Sequence, residues 1–205
     1  MTAPGNTAGT EDVLDALAPG FADPVLDAQR CFRALLDAMA RPGRVQRIAA
    51  PCGAPAPLGP AAAAALLTLT DAGTPVWLDA GAAVASWLRF HTGCPLAADP
   101  GAASFVLACG APPPLAALDA GTEEEPHHST TLILQVAGLA EGEGWRLTGP
   151  GIAREHRLAV QGLPSEFMAT WEANRMRFPR GVDVILCAGD RLAALPRTVA
   201  IGEPA

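Results

Sequence analysis

The sequence contains no lysine, and all 14 of its basic residues are arginine. A pyridoxal phosphate enzyme needs a lysine for its Schiff base, and a Walker A loop needs one to reach the phosphates of a nucleotide. The absence of lysine therefore excludes both of these protein classes. Tyrosine is also absent, which excludes acid–base chemistry by a phenol.

The five cysteines are too widely spaced to form a metal-binding or cluster-binding motif. Successive cysteines, from Cys31 to Cys187, are separated by 21, 42, 15 and 78 residues. The spacing excludes a C-x-x-C pair, a zinc knuckle and a radical iron–sulfur motif. Cys109 and Cys187 stand in apolar, strand-like runs, where a reduced cysteine packs as a small hydrophobic residue.

Acidic residues outnumber basic ones by 21 to 14, which gives a formal net charge of −7. This balance argues against binding nucleic acid or an anionic membrane through bulk charge, although a local arginine pocket can still bind a small anion. The most apolar run, residues 61–69, is shorter than the ~20 residues that cross a bilayer. The first 20 residues lack the basic start of a signal peptide. We expect a soluble, cytoplasmic protein.

The length of 205 residues suits one domain. Residues 1–20 are rich in glycine, alanine, proline and threonine, and are predicted to be a disordered tail. Residues 21–200 are predicted to form a single α/β domain. Segments typical of strands and helices alternate along it, and the second half contains hairpins, so we expect a mixed β-sheet flanked by helices.

The pattern of apolar residues predicts where these elements lie. A first helix follows Asp23-Pro24 and ends before Pro42-Gly43, with a core face predicted at Val25, Phe32, Leu35, Leu36 and Met39. Further helices are predicted over 60–69 and 82–90 and after Pro164. Strands are predicted at 75–78, 104–109, 130–136 and 144–148, followed by a hairpin of 182–187 with 191–199. Residues 110–129 are the predicted internal loop.

Arg89, His91 and Thr92 stand at the predicted end of the third helix, just before Gly93. An arginine can bind a phosphate or phosphonate through two hydrogen bonds, and an imidazole and a hydroxyl can each add one. The same residues also suit an ordinary helix C-terminus, where cations complement the helix dipole. Both interpretations stay open. Three arginines at tight loops are secondary candidates for anion binding, namely Arg41, Arg180 and Arg197.

Other candidate motifs are weaker. His127 and His128 follow three glutamates, but adjacent histidines in an extended loop point apart, so no metal site is predicted. Gly149-Pro-Gly151 is predicted to be a plain turn, because proline lacks an N–H for a phosphate. Cys94 lies near His91 without an orienting acid, so a nucleophilic pair is not expected. The catalytic residues stay unknown.

Several stretches of the chain resemble the PhnH family, a subunit of bacterial carbon–phosphorus lyase. They occur in the family's order and cover most of residues 21–200, whereas residues 1–20 and much of 110–129 lie outside the resemblance. The matching stretches are 27–39 with Pro42-Gly43, 66–71, 74–78, 88–92, 131–136, 147–152, 178–186 and 195–198.

This resemblance implies a fold similar to the large domain of pyridoxal phosphate transferases, without the cofactor. It also implies a role in phosphonate breakdown within a complex whose first step transfers ribose triphosphate from ATP to an alkylphosphonate and releases adenine. The expected role is that of an accessory subunit that binds no cofactor, is not catalytic alone, and has the other lyase subunits as partners. In the alternative, Arg89 and His91 hold the phosphonate or triphosphate directly. A third hypothesis is a homodimer that acts alone.

Overall fold

The computed structural model describes residues 18–49 and 52–202. The α-helices of this part of the chain are α1 (Pro24–Ala40), α2 (Pro60–Leu69), α3 (Gly81–Thr92) and α4 (Phe167–Arg175). The strands are β1 (Gln46–Arg47), β2 (Val76–Leu78), β3 (Phe105–Ala108), β4 (Thr131–Gln135), β5 (Gly138–Thr148), β6 (His156–Gln161), β7 (Asp183–Ala188), β8 (Arg191–Leu195) and β9 (Ala200–Gly202). Among these residues, no helix is both long and apolar enough to cross a membrane.

A six-stranded sheet forms the centre of the fold, in the order β1-β8-β7-β4-β3-β2. Strands β2, β3, β4 and β7 are parallel, whereas β8 and β1 are antiparallel to their neighbours. In β4, the consecutive residues Leu132, Ile133 and Leu134 are all buried, as expected for a strand covered on both faces. The prediction of a mixed sheet flanked by helices is confirmed.

A second, antiparallel sheet contains β6, β5 and β9 in that order. The sequence pattern predicted only residues 144–148 of β5, and it predicted neither β6 nor β9 as a separate strand. The missed part of β5, residues 138–143, is rich in glycine and glutamate, which are depleted in strands. This stretch is a strand because it pairs with β6, although its residues have a low intrinsic strand propensity. The pairing is interrupted by a bulge between Glu141 and Trp145.

Helix α1 turns a different face to the core from the predicted one. Its buried residues are Asp27, Cys31, Leu35 and Ala38, whereas Val25, Phe32 and Leu36 are exposed. The predicted core face is therefore wrong, except for Leu35 and the half-buried Met39. The reason lies in α2, in which residues 61–65 are five buried alanines. The buried side of α1 belongs to the same core cluster as these alanines, and small side chains such as Cys31 and Ala38 let the two helices approach each other closely.

The remaining predicted elements are present, although β8 ends at Leu195 and not at residue 199 as predicted for the hairpin. The hairpin of β7 and β8 is present, α3 covers the predicted 82–90, and α4 begins just after Pro164. Residues 110–129 form a loop that contains the 3₁₀ turns Leu115–Ala117 and Pro126–His128. Of the predicted tail, residues 1–17 lie outside the described residues, and the carbonyl of Ala18 accepts a hydrogen bond from Trp87 Nε1 at 2.9 Å.

The turn after α1 packs directly against the turn after β5. Gly151 has a φ of +83°, and a Cβ placed there would lie 2.3 Å from the carbonyl oxygen of Ala40 and 2.8 Å from Cδ of Pro42. Only a glycine allows the two backbones to come this close. This contact joins the small sheet to the end of α1.

We expect Gly151→Ala to lower the free energy of unfolding by about 2 kcal/mol or more, because a backbone collision adds to the strain of a left-handed residue. Gly142 provides the control, since its φ is +93° and a Cβ there would meet nothing within 4 Å. Gly142→Ala should cost about 1 kcal/mol, from the backbone strain alone. Urea unfolding followed by tryptophan fluorescence measures both losses. Equal losses would show that the close approach has no energetic effect.

Candidate functional site

At the end of α3, His91 and Thr92 are bonded to the backbone of their own chain. His91 Nε2 lies 3.0 Å from the carbonyl oxygen of Ala18, which also accepts from Trp87. Thr92 Oγ1 donates to a carbonyl one turn back in the helix at 2.9 Å and accepts from the amide of Cys94 at 3.2 Å. These contacts cap the C-terminal end of α3 and hold the segment before α1 against this helix.

Arg89 is exposed and makes no side-chain hydrogen bond or ion pair to another described residue. The three residues predicted as an anion site therefore do not present a joint set of free groups. Arg89 is the one that can still donate to a ligand without breaking an existing contact. The anion site at this helix end stays a prediction that depends mainly on Arg89.

Arg197, a secondary candidate, is the centre of a hydrogen-bond network. Its Nη2 lies 2.6 Å from Asp183 Oδ2 and 2.6 Å from Ser129 Oγ, and its Nη1 donates to the carbonyl of Pro126 at 2.8 Å. Its backbone amide also donates to Asp183 Oδ1 at 2.7 Å. The guanidinium thus connects the start of β7 to the loop before β4, and its donors are directed at its own chain.

Arg180 lies in the segment between α4 and β7 and is half-buried. Its Nε is fully shielded from solvent and has no hydrogen-bond partner among the described residues. Buried polar groups are nearly always hydrogen-bonded, so this donor is an exception, and anion binding by Arg180 stays a prediction.

Arg41, the remaining candidate, lies in a polar cleft of about 120 Å³ between the two turns that meet at Gly151. Its lining comes from residues after α1 and from residues after β5, namely Arg41, Pro42, Arg44, Gly151, Ile152, Ala153, Glu155 and His156. Since one water takes ~30 Å³ in the liquid, the cleft is large enough for one tetrahedral oxyanion.

The charged side chains around this cleft differ in whether they already have an ion-pair partner. Arg41 is paired with Asp37, whereas Arg44 is exposed and forms no ion pair within residues 18–49 and 52–202. His156 Nε2 is shielded from solvent and lies 3.3 Å from Glu141 Oε2, without the geometry of a hydrogen bond. Arg44 is therefore the arginine of the cleft without an ion pair among the described residues, whereas Nε2 of His156 faces the carboxylate of Glu141.

From the sequence, Arg41 is a secondary anion-binding candidate and Gly149-Pro-Gly151 is predicted to be a plain turn, and nothing in the pattern connects the two. The turn is confirmed, since the amide of Ile152 donates to the carbonyl of Gly149 at 3.1 Å. Its place in the cleft could not be predicted, because the contact joins residues that are more than 100 positions apart. The sequence pattern did not single out His156 as a site residue, because the strand to which it belongs, β6, was not predicted.

Burial disfavours ionisation of three cysteine thiols, so none of these three is an activated nucleophile. Cys187 is buried, as predicted, and burial raises the pKa of its thiol. Cys109 is only half-buried, but desolvation raises its pKa to about 11, and burial likewise raises the pKa of Cys52 to about 11. A thiol acts as a nucleophile in its ionised form, so these groups are almost entirely unreactive at neutral pH.

The geometry of His127 and His128 differs from the prediction. Their ring centroids lie 4.3 Å apart, so the two side chains do not point apart. The reason is that residues 126–128 form a 3₁₀ turn instead of the extended backbone that was assumed. In such a turn, neighbouring side chains are rotated by about a third of a circle rather than a half.

The exposed side of α1 carries an apolar face, which we define as Val25, Phe32 and Leu36. These side chains are 77%, 51% and 59% exposed, respectively. One turn beyond Leu36, Met39 lines a cleft of about 450 Å³ together with the exposed Phe178. Large apolar side chains are thus exposed along the helix and at its end.

Known proteins resemble the chain over nearly its whole length. A family model described as bacterial phosphonate metabolism protein (PhnH) matches residues 19–202. A protein of Rhizobium meliloti (strain 1021), named alpha-D-ribose 1-methylphosphonate 5-triphosphate synthase subunit PhnH, is 42% identical over 183 residues, covering 87% of this chain and 92% of the relative. A protein of Stutzerimonas stutzeri, named putative C-P lyase subunit protein HtxG, is 34% identical over 179 residues, covering 84% of this chain and 85% of the relative.

We expect Arg197→Ala to lower the free energy of unfolding by about 3 kcal/mol, because it leaves the Asp183 carboxylate without its partner in a largely buried site. The two side chains are 13% and 16% exposed. Arg175→Ala is the control, since it removes an arginine from the exposed pair with Glu172 and should change stability little. Urea unfolding measures both, and a loss no larger for Arg197→Ala than for Arg175→Ala would contradict a structural role.

Proposed function

Because the chain belongs to the PhnH family of bacterial phosphonate metabolism proteins, we propose that it is an accessory subunit of a complex of several different proteins. In this proposal, the complex transfers ribose triphosphate from ATP to an alkylphosphonate and releases adenine. The relatives support membership of such a complex, since one is named a synthase subunit and the other a putative C-P lyase subunit.

The observation that carries the proposal is the apolar face of α1. Its members are spaced by 7 and 11 residues, close to two and three turns of an α-helix, so they lie on one side of the helix. Exposed apolar patches of this kind mark protein–protein contacts. In this proposal another subunit of the same complex covers the face, which agrees with the naming of both relatives as subunits.

The chemistry of the chain supports an accessory role over independent catalysis. Lysine and tyrosine are absent from the sequence, and burial raises the pKa of Cys52, Cys109 and Cys187. The reacting groups are then supplied mainly by a partner, in the cytoplasm where ATP is available. The parallel strands β2, β3, β4 and β7 also support a fold similar to the large domain of pyridoxal phosphate transferases, with no lysine to hold the cofactor.

The test is co-expression with the companion synthase subunits, followed by measurement of the native mass of whatever co-purifies. We expect a stable hetero-oligomer from the wild-type chain. The double substitution Phe32→Ser and Leu36→Ser should yield a folded chain without its partners, because both side chains are already exposed in the isolated chain and contribute little to its core.

The control is Phe90→Ser, which removes an aromatic side chain of similar exposure from α3 and should leave the complex intact. A wild-type chain that stays a monomer or a homodimer would contradict the accessory role. Loss of partners in Phe90→Ser but not in the double variant would move the interface away from α1. Circular dichroism of each variant confirms that it is folded.

A second candidate function, binding of the phosphonate or triphosphate group, is favoured by the cleft between the two turns. Arg44 lines this cleft and has no ion pair among the described residues, whereas His91 and Thr92 are bonded to their own backbone. A hydrogen bond to an ionised group contributes about 1.5–3 kcal/mol. Loss of one arginine contact therefore corresponds to a change in affinity of about tenfold or more.

Titration of the purified chain with methylphosphonate and with inorganic triphosphate, followed by ³¹P NMR, separates the two arginine sites. We expect Arg44→Ala to weaken binding at least about tenfold and Arg89→Ala to leave it unchanged. The reverse result would place the anion at the end of α3 instead of in the cleft. If Arg44→Ala and Arg89→Ala both bind the anions as tightly as the wild type does, neither site binds the anion.

A further inference from the structure

Glu125, His127 and His128 bring three metal-ligating side chains together on the loop before β4. One ligand atom from each lies within 4.8 Å of the other two, and His128 Nδ1 is 3.5 Å from Glu125 Oε2. Two imidazoles and a carboxylate are a donor set that binds zinc and related divalent ions. We infer that this cluster binds a divalent cation of the zinc class.

The backbone under the cluster is held in place from outside it. The guanidinium of Arg197 bonds the carbonyl of Pro126 at 2.8 Å and the hydroxyl of Ser129 at 2.6 Å, so one side chain secures both ends of the turn. Ser129 itself is buried. A fixed backbone leaves only side-chain rotations to be ordered by the ion, which reduces the entropy lost on binding.

The surroundings favour a cation. Glu123 and Glu124 precede the cluster directly and add two negative charges on the same exposed stretch. The positive charge of Arg197 is balanced by its bonds to Asp183. Each of the three ligands is exposed, so an ion reaches them without opening the fold.

Three protein ligands leave the fourth position of a tetrahedral ion open. His127 also lines the cleft of about 450 Å³ that contains Phe178 and Arg197. An ion bound to His127 therefore lies at the edge of this cleft. Its fourth ligand is a water or an oxygen donor from outside the cluster. This assignment does not depend on the proposed role in a complex.

The experiment is calorimetric titration of the full chain with zinc chloride, in a form without an oligohistidine tag, since such a tag binds zinc itself. We expect one zinc ion per chain in the wild type. His127→Ala and His128→Ala should each weaken binding at least about tenfold, because each removes one of three ligands. Glu125→Gln should also weaken it, through loss of the carboxylate charge.

Glu124→Gln is the control, because it makes the same chemical change as Glu125→Gln one position away, on another exposed side chain. It should weaken binding much less than Glu125→Gln does, because it removes a nearby charge but no ligand. All variants keep the five cysteines, so any zinc bound by thiols contributes equally to each. The proposal is overturned if the wild type binds no zinc, or if the two histidine variants bind it as tightly as the wild type does.

Discussion

The ion pair between Arg197 and Asp183 supports the cleft of about 450 Å³ that both residues line and the histidine cluster at its edge. Asp183 begins β7, one of the central parallel strands, and Arg197 follows β8. With both side chains largely buried, the pair holds the turn after the hairpin against the sheet. Its remaining donors reach the loop at residues 126–129. A long connection with little secondary structure is thus fixed at its end by one guanidinium.

Packing of α1 on α2 has an equally direct consequence for function. The buried residues Cys31, Leu35 and Ala38 of α1 belong to the same core cluster as the five consecutive buried alanines of α2. Phe32 and Leu36 are displaced to the outside. Hydrophobic residues that would complete a core in another arrangement become available to a neighbouring protein. The interface proposed here is therefore a result of how closely two helices pack.

The elements that were predicted correctly have local causes. Asp23 accepts a hydrogen bond from the amide of Leu26 at the start of α1, and Gly93 ends α3 in a left-handed conformation. The hairpin of β7 and β8 turns at Gly189-Asp190, as its turn residues indicate. By contrast, β6 and the first half of β5 are strands because they pair with each other. Such pairing has no local signature, so a single sequence does not predict it.

By itself, the sequence determined the classes of chemistry that are excluded, the mixed α/β architecture and the family, because these depend on residue content and on the order of local patterns. Only the tertiary structure decided which face of α1 is exposed. It also decided that Arg41 and Arg44 line one cleft with Gly151 and His156, and that the guanidinium of Arg197 is hydrogen-bonded within its own chain. These results depend on contacts between residues far apart in the chain. Helix periodicity gives the faces of a helix, but what packs against each face is decided by the shape and size of its neighbours.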